Sequence, residues 1–89
     1  MKTYHFIIKG LVQGVGYRFT AYLNANKLGI NGTVKNLPDG SVEIFAQSND
    51  LTIENFKKYL KIGSGFSHVR DIFQETIDKP AYEDFRIIR

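Results

Sequence analysis

The fold of this chain is decided at Val12-Gln13-Gly14-Val15-Gly16-Tyr17-Arg18, where a strand gives way to a helix. Large apolar residues at every second position of residues 4–8 predict the strand before this stretch. Ala21, Ala25 and Leu28 recur at helical spacing after it, which predicts the helix. The glycines between the two elements let the backbone curl until several N–H groups point at one spot. We therefore expect a strand, a tight glycine loop and a helix.

A second turn follows at Leu37-Pro38-Asp39-Gly40, between predicted strands at residues 33–37 and 41–47. Proline presets the first turn position, aspartate tolerates the turn, and glycine takes the position of positive φ. Two extended segments joined by so short a turn form an antiparallel hairpin. The hairpin and the first strand can therefore share one sheet.

One more helix and two more strands are predicted after the hairpin. Asn49 and Asp50 can cap a second helix, which has apolar residues at helical spacing and ends at Gly63. An extended segment at residues 69–76, with a bulge, and a last strand at residues 82–88 follow. The order is βαββαβ plus a terminal strand. It predicts an α+β fold, the ferredoxin-like α/β sandwich, with two helices on one face of a mainly antiparallel five-stranded sheet.

Length and composition limit the classes of protein to be considered. The chain has 89 residues, which we expect to form a single domain over residues 1–89. It has no cysteine, so disulfides and Cys-based zinc sites are excluded. No apolar run approaches the length of a signal peptide core or of a membrane span. The net charge of +3 is spread along the chain without a basic cluster, which argues against nucleic-acid binding.

The loop before the first helix has the features of an anion site. Inward N–H groups, the positive end of the helix dipole and the planar guanidinium of Arg18 all favour a phosphate group. The loop is not a Walker A motif, because no Gly-Lys-Ser/Thr follows, and it lacks the third glycine of a dinucleotide fingerprint. The residues alone therefore predict a phosphate cradle and leave its chemistry open.

The same loop resembles the signature of the acylphosphatases. A second stretch, Gly32-Thr33-Val34-Lys35-Asn36-Leu37-Pro38-Asp39-Gly40-Ser41-Val42-Glu43, is similar to the second signature of that family. Further similarity covers Ala25–Ile30 and Phe56–Gly63, so the resemblance extends over essentially the whole chain. Two departures are visible: Thr33 stands where many members have an aromatic residue, and Ser64 stands where proline is frequent.

The resemblance implies a function for individual residues. The loop residues Gln13, Gly14, Val15, Gly16 and Tyr17 would hold the phosphoryl group through their backbone. Arg18 would bind the group and neutralise its charge. Asn36 would position and activate the attacking water. The expected activity is hydrolysis of the carboxyl–phosphate bond of a small acyl phosphate to a carboxylate and inorganic phosphate, which would also act as a competitive inhibitor.

This chemistry needs few groups. A carboxylate leaving group has a conjugate acid of pKa about 4, so it departs at neutral pH without a general acid. We therefore expect neither a metal nor a cofactor. His5 and His68 have no metal-ligand spacing and are interpreted as ordinary strand residues.

Two other functions share this element order. An RNA-binding module of the RRM type would need basic and aromatic residues on its third strand, where residues 41–47 offer one aromatic residue and an acid. A carbamoyl-phosphate-handling domain, such as the one at the start of hydrogenase-maturation proteins, is the nearer alternative. The absence of a further domain in the sequence favours a free-standing enzyme. The absence of cysteine fits the cytoplasm, and we expect a monomer without nucleic-acid or membrane partners.

Overall fold

The structure, a computed structural model, describes all residues from Met1 to Arg89. It contains five strands and two helices in the predicted order: β1 (Lys2–Leu11), α1 (Tyr17–Leu28), β2 (Asn31–Asn36), β3 (Val42–Gln47), α2 (Asp50–Ile62), β4 (His68–Asp78) and β5 (Phe85–Ile88). β1 and β4 are longer than the sequence pattern indicated, and β5 is shorter. Neither helix has the length and the apolar run needed to cross a bilayer.

The strands form one mixed sheet in the order β4-β1-β3-β2-β5. β1 pairs antiparallel with both β3 and β4, β2 pairs antiparallel with β3, and β5 joins β2 in parallel. The mainly antiparallel ferredoxin-like sandwich is therefore confirmed. β1 and β2 flank the central strand β3, and β1, β2 and β5 run in the same direction. The loop that leaves the carboxyl end of β1 therefore lies at the same edge of the sheet as the carboxyl ends of β2 and β5.

The core lies between the sheet and the helices. Tyr4, Phe6 and Ile8, at alternate positions of β1, are buried on the face that the helices cover. Phe56 of α2 packs edge-on against Phe6 and Phe85, with ring centroids 6.4 and 6.3 Å apart. Burial of such side chains contributes roughly 1.5–3 kcal/mol each relative to exposure. This shared core fixes the start of α1 relative to the carboxyl ends of β1 and β2.

The helix ends follow the predicted signals. Gly29 follows α1 in the left-handed conformation, with φ 71°, and its N–H donates to the carbonyl of Asn26. The side chain of Asn49 accepts from the N–H of Thr52, so Asn49 is the N-cap of α2. Gly63 follows the last turn of α2. The end of α1 and both ends of α2 therefore lie where the predicted cap signals place them.

The predicted bulge in β4 is also present. Lys9 pairs with Asp71 whereas Gly10 pairs with Val69, so Arg70 is the extra residue. At Gly10 a Cβ atom would lie 2.1 Å from the carbonyl oxygen of His68, so no larger residue fits there. Beyond the bulge, the first residues of β4 continue to pair with the end of β1, which leads into the glycine loop.

The other face of the sheet carries Phe45 on β3, and its ring is already covered. The ring stacks on His5 with centroids 4.5 Å apart and an interplanar angle of 5°. The ammonium of Lys79 lies 3.9 Å from the centroid of the same ring. Base stacking needs an exposed aromatic face, so this arrangement does not favour the RRM alternative.

Candidate active site

The glycine loop between β1 and α1 has a backbone that only glycine adopts readily. Gly14 has φ 73° and Gly16 has φ 78°, both in the left-handed region. A Cβ atom added at either position would meet no atom within 4 Å. Glycine is therefore needed here for the conformation of the backbone and not for space.

The loop carries donors that the protein itself does not use. The backbone N–H groups of residues 13–16 donate no hydrogen bond to any protein group. The carbonyl of Gly16, in contrast, accepts from the N–H of Thr20 at 3.1 Å and from its hydroxyl at 3.0 Å. The loop thus joins the N-terminus of α1, where further N–H groups and the helix dipole favour an anion.

A cavity of about 260 Å³ opens over this loop. It is lined by Val12, Gly14, Gly16, Tyr17, Arg18, Phe19, Asn36, Ile87 and Arg89. The structure thus brings together the loop, Arg18 and Asn36, which are far apart in the sequence. The side chains that line the cavity include two arginines and no aspartate or glutamate, which favours an anionic ligand.

Arg18 is held in place without being neutralised. Its Nη1 donates to the carbonyl oxygen of Ile88 at 3.4 Å, and the side chain forms no ion pair. A guanidinium has five donors in a planar fork, so most of them remain for a ligand. The end of β5 therefore orients Arg18 and leaves its charge available.

Asn36 ends β2 and also lines the cavity. Its Oδ1 is buried and has no hydrogen-bond partner in the protein, and its amide nitrogen donates to no protein group. An unpartnered buried acceptor costs roughly 1–3 kcal/mol. The amide of Asn36 therefore has hydrogen-bonding capacity beside the cavity that the protein does not use.

Gln13 has a role that the sequence did not indicate. Its side-chain Nε2 donates to the carbonyl oxygens of Leu37 at 2.8 Å and Ser41 at 2.9 Å. These carbonyls flank the turn that follows Asn36. The glutamine side chain therefore ties the glycine loop to the β2–β3 hairpin and fixes the cradle relative to Asn36. The only feature of the sequence that could have indicated this contact is the long polar side chain of Gln13 among glycines and valines.

Tyr17 contributes its backbone to the loop while its ring belongs to the core. The side chain is 2% exposed, and its hydroxyl donates to the carbonyl oxygen of Leu60 at 2.8 Å. Burial raises the pKa of the Tyr17 hydroxyl above its usual value. The hydroxyl is therefore a fixed structural donor and is not available for proton transfer.

Neither histidine lies in the cavity. On the sheet face opposite the helices, the ring nitrogens of His5 lie 2.9 Å from Glu43 and 2.8 Å from Glu75. His68 is exposed at the start of β4. The interpretation of both as strand residues outside the site agrees with their positions.

A ferredoxin-like sandwich with an unneutralised arginine and free N–H groups at one cavity is suited to binding a small anion. Comparison with known proteins makes the class specific. The family model for acylphosphatase matches residues 4–87. An acylphosphatase of Lactobacillus gasseri is 43% identical over 99% of both chains, and one of Caldanaerobacter subterraneus is 40% identical over 97% of both. The crystal structure of acylphosphatase from Bacillus subtilis superposes on this chain over the full length of both, with 37% sequence identity and a TM-score of 0.95.

The chain therefore belongs to the acylphosphatase family. It is an enzyme with acylphosphatase activity, and its substrate is a small acyl phosphate.

Proposed function

We propose that the phosphoryl group of the substrate binds at residues 13–18 and is attacked there by a water molecule that Asn36 orients. The observation that carries this proposal is the shared cavity, which Arg18 and Asn36 line together with two glycines whose backbone N–H groups have no protein partner. The backbone of Gln13, Gly14, Val15, Gly16 and Tyr17 donates to the phosphoryl oxygens. Arg18 neutralises the phosphoryl charge, and Asn36 aligns the water.

The leaving group explains why this set of residues is sufficient. The transition state of phosphoryl transfer is loose, so catalysis depends mainly on positioning and on fixed positive potential. The carboxylate departs as an anion at neutral pH and needs no proton. A phosphate monoester releases an alkoxide, which does need a proton. The proposed site therefore favours acyl phosphates over monoesters.

The proposal also covers the need for a metal, inhibition by the product, the oligomeric state and the location of the enzyme. The water attacks without a metal, because the cradle and Arg18 carry the positive potential that a metal would supply. Inorganic phosphate, which has the same shape and charge as the held group, competes with the substrate. The enzyme acts as a monomer in the cytoplasm, with residues 1–89 as one domain, and needs no nucleic acid or membrane.

Arg18→Gln tests the phosphate assignment. Removing the charge should reduce kcat/KM by about 10²- to 10³-fold, as loss of a transition-state donor does, and should weaken inhibition by inorganic phosphate. Arg86→Gln is the matched control, because Arg86 is an exposed arginine paired with Asp84 and lies outside the cavity. Hydrolysis by Arg18→Gln at close to the parental rate would contradict the assignment.

A substrate panel tests the reaction class. Acetyl phosphate, benzoyl phosphate and 4-nitrophenyl phosphate are assayed with the purified protein, with and without EDTA. We expect hydrolysis of the two acyl phosphates only, at the same rate with the chelator. A loss of activity with EDTA that a divalent ion restores would contradict the metal-free mechanism.

A further inference from the structure

The loop that follows α2 makes a direct contact with the glycine loop. The hydroxyl of Ser64 donates to the carbonyl oxygen of Val15 at 2.7 Å, across 49 positions of sequence. Ser64 is itself held, because its N–H donates to the hydroxyl of Ser67 at 2.9 Å and its carbonyl accepts from the same hydroxyl at 3.1 Å. The donor that reaches Val15 is thus fixed in position.

This contact sets the orientation of one peptide group of the cradle. The structure has no cis peptide, so the carbonyl of Val15 and the N–H of Gly16 point in opposite directions. Gly16 lines the cavity whereas Ser64 does not. With the Val15 carbonyl directed at Ser64, the N–H of Gly16, a residue that lines the cavity, is directed away from Ser64.

The backbone around this peptide provides little resistance to rotation. Reversal of the Val15–Gly16 peptide changes mainly ψ of Val15 and φ of Gly16, and glycine accepts φ of either sign. A reversed peptide would present the carbonyl oxygen of Val15 to the phosphoryl oxygens in place of an N–H donor. A repulsive dipole would then replace an attractive one at the anion site.

We propose that Ser64 is a positioning residue, which holds the Val15–Gly16 peptide in the orientation that binds phosphate. This inference rests on the proposed phosphate role of residues 13–18. Without the hydroxyl, only part of the protein population would present the Gly16 N–H to the ligand. The ligand binds only the molecules with the competent peptide orientation, so the apparent affinity is reduced in proportion to their fraction of the population. Bound substrate restores the competent state, so turnover at saturation is retained.

Ser64→Ala tests this with acetyl phosphate as substrate and inorganic phosphate as inhibitor. Loss of one hydrogen bond predicts that KM and the phosphate Ki rise by the same factor, roughly three- to tenfold. We expect kcat to stay within about twofold of the parental value for a pure population effect. Ser64→Thr keeps the hydroxyl, so its KM and phosphate Ki should stay close to the parental values. Ser48→Ala is the control, since Ser48 follows β3 at the opposite end of the sheet.

The alternative outcomes are distinguishable. Parental KM and Ki in Ser64→Ala overturn the inference, as does a fall in kcat and melting temperature with KM unchanged. Ser64→Cys, with a weak S–H donor, should give intermediate constants and replaces the alanine variant if that one does not fold. If Arg18→Gln also leaves the phosphate Ki unchanged, the cradle itself is wrongly assigned. If Arg18→Gln raises Ki and Ser64→Ala does not, only the role of Ser64 fails.

Discussion

The side chain of Asn36 is unusual among the polar groups near the cavity because neither end of its amide is used by the protein. A residue that served only the turn would hydrogen-bond to that turn, as Asp39 does with Ser41. The unpartnered amide is therefore better explained by a ligand than by the hairpin. We expect that ligand to be the attacking water.

Asn36→Ala should separate binding from chemistry. The cradle at residues 13–18 remains complete without Asn36, so inhibition by inorganic phosphate should stay within about twofold of parental, whereas kcat should fall by about 10²-fold or more. Phosphate Ki, kcat and melting temperature are measured on one preparation. A near-parental kcat with a lowered melting temperature would show that Asn36 serves only the turn.

Among individual residues, the sequence identified those that line the cavity but not those whose side chains hold the glycine loop in place. Arg18 and Asn36 were identified from two signatures, and the structure places both at one cavity. Gln13 and Ser64 were not assigned side-chain roles, because their partners are carbonyl groups distant in sequence. Any residue has a carbonyl, so no residue type marks such a partner. Only the folded chain reveals these contacts.

Among the elements, the β2–β3 hairpin has the clearest electrostatic anchor. The carboxylate of Asp39 accepts from the Ser41 hydroxyl and N–H, at 2.5 and 2.9 Å, and from Lys9 at 3.1 Å. These hydrogen bonds lower the pKa of Asp39 from 3.8 to about 2. The Ser41 hydroxyl has the largest effect, followed by the Ser41 N–H and then Lys9. The ionised form of Asp39 therefore stabilises the turn.

Asp39→Asn should change the acid stability in a defined window. A lowered pKa contributes stability above its ordinary value, and this contribution is lost as the pH falls through the folded value. The variant should therefore melt below the parent at pH 7, and the difference should shrink between about pH 4 and pH 2. Glu54→Gln, a helix position without hydrogen bonds or ion pairs, controls for loss of a surface charge. A difference that is constant with pH would contradict this anchor.

Element boundaries show what local patterns can and cannot predict. The helix ends were predicted correctly, because caps at Gly29 and Asn49 are local signals. β4 extends to Asp78, beyond the predicted limit of Thr76, because its pairing with β1 continues to Lys2. β5 begins only at Phe85, where pairing with Gly32 starts. Strand length thus depends on the partner strand, which a local pattern does not contain.

On the scale of the whole molecule, the fold joins three distant segments at one cavity. Ile87 of β5 and the following Arg89 line the same cavity as the glycine loop and Phe19 of α1. If the phosphoryl group binds at the loop as proposed, we expect the acyl group to contact these three side chains. They are two apolar residues and one cation.

Arg89→Gln should therefore alter selectivity among substrates. For 4-carboxybenzoyl phosphate, KM should rise roughly two- to fivefold relative to 4-methylbenzoyl phosphate, the effect of one nearby charge in water. The difference should shrink in high salt, because exposed charges are screened. Arg86→Gln should leave the ratio of the two KM values unchanged. Equal changes for both substrates would show that Arg89 does not contact the acyl group.

The central claim is that water attacks the phosphorus atom of a phosphoryl group held in the cradle. Hydrolysis of acetyl phosphate in H₂¹⁸O tests it directly, with mass spectrometry of both products after early turnovers and with the uncatalysed reaction subtracted. The mechanism predicts ¹⁸O in the inorganic phosphate and none in the acetate, because the bond between phosphorus and the bridging oxygen breaks. Enzyme-dependent label in the acetate would mean attack at the carbonyl carbon, and it would contradict the mechanism.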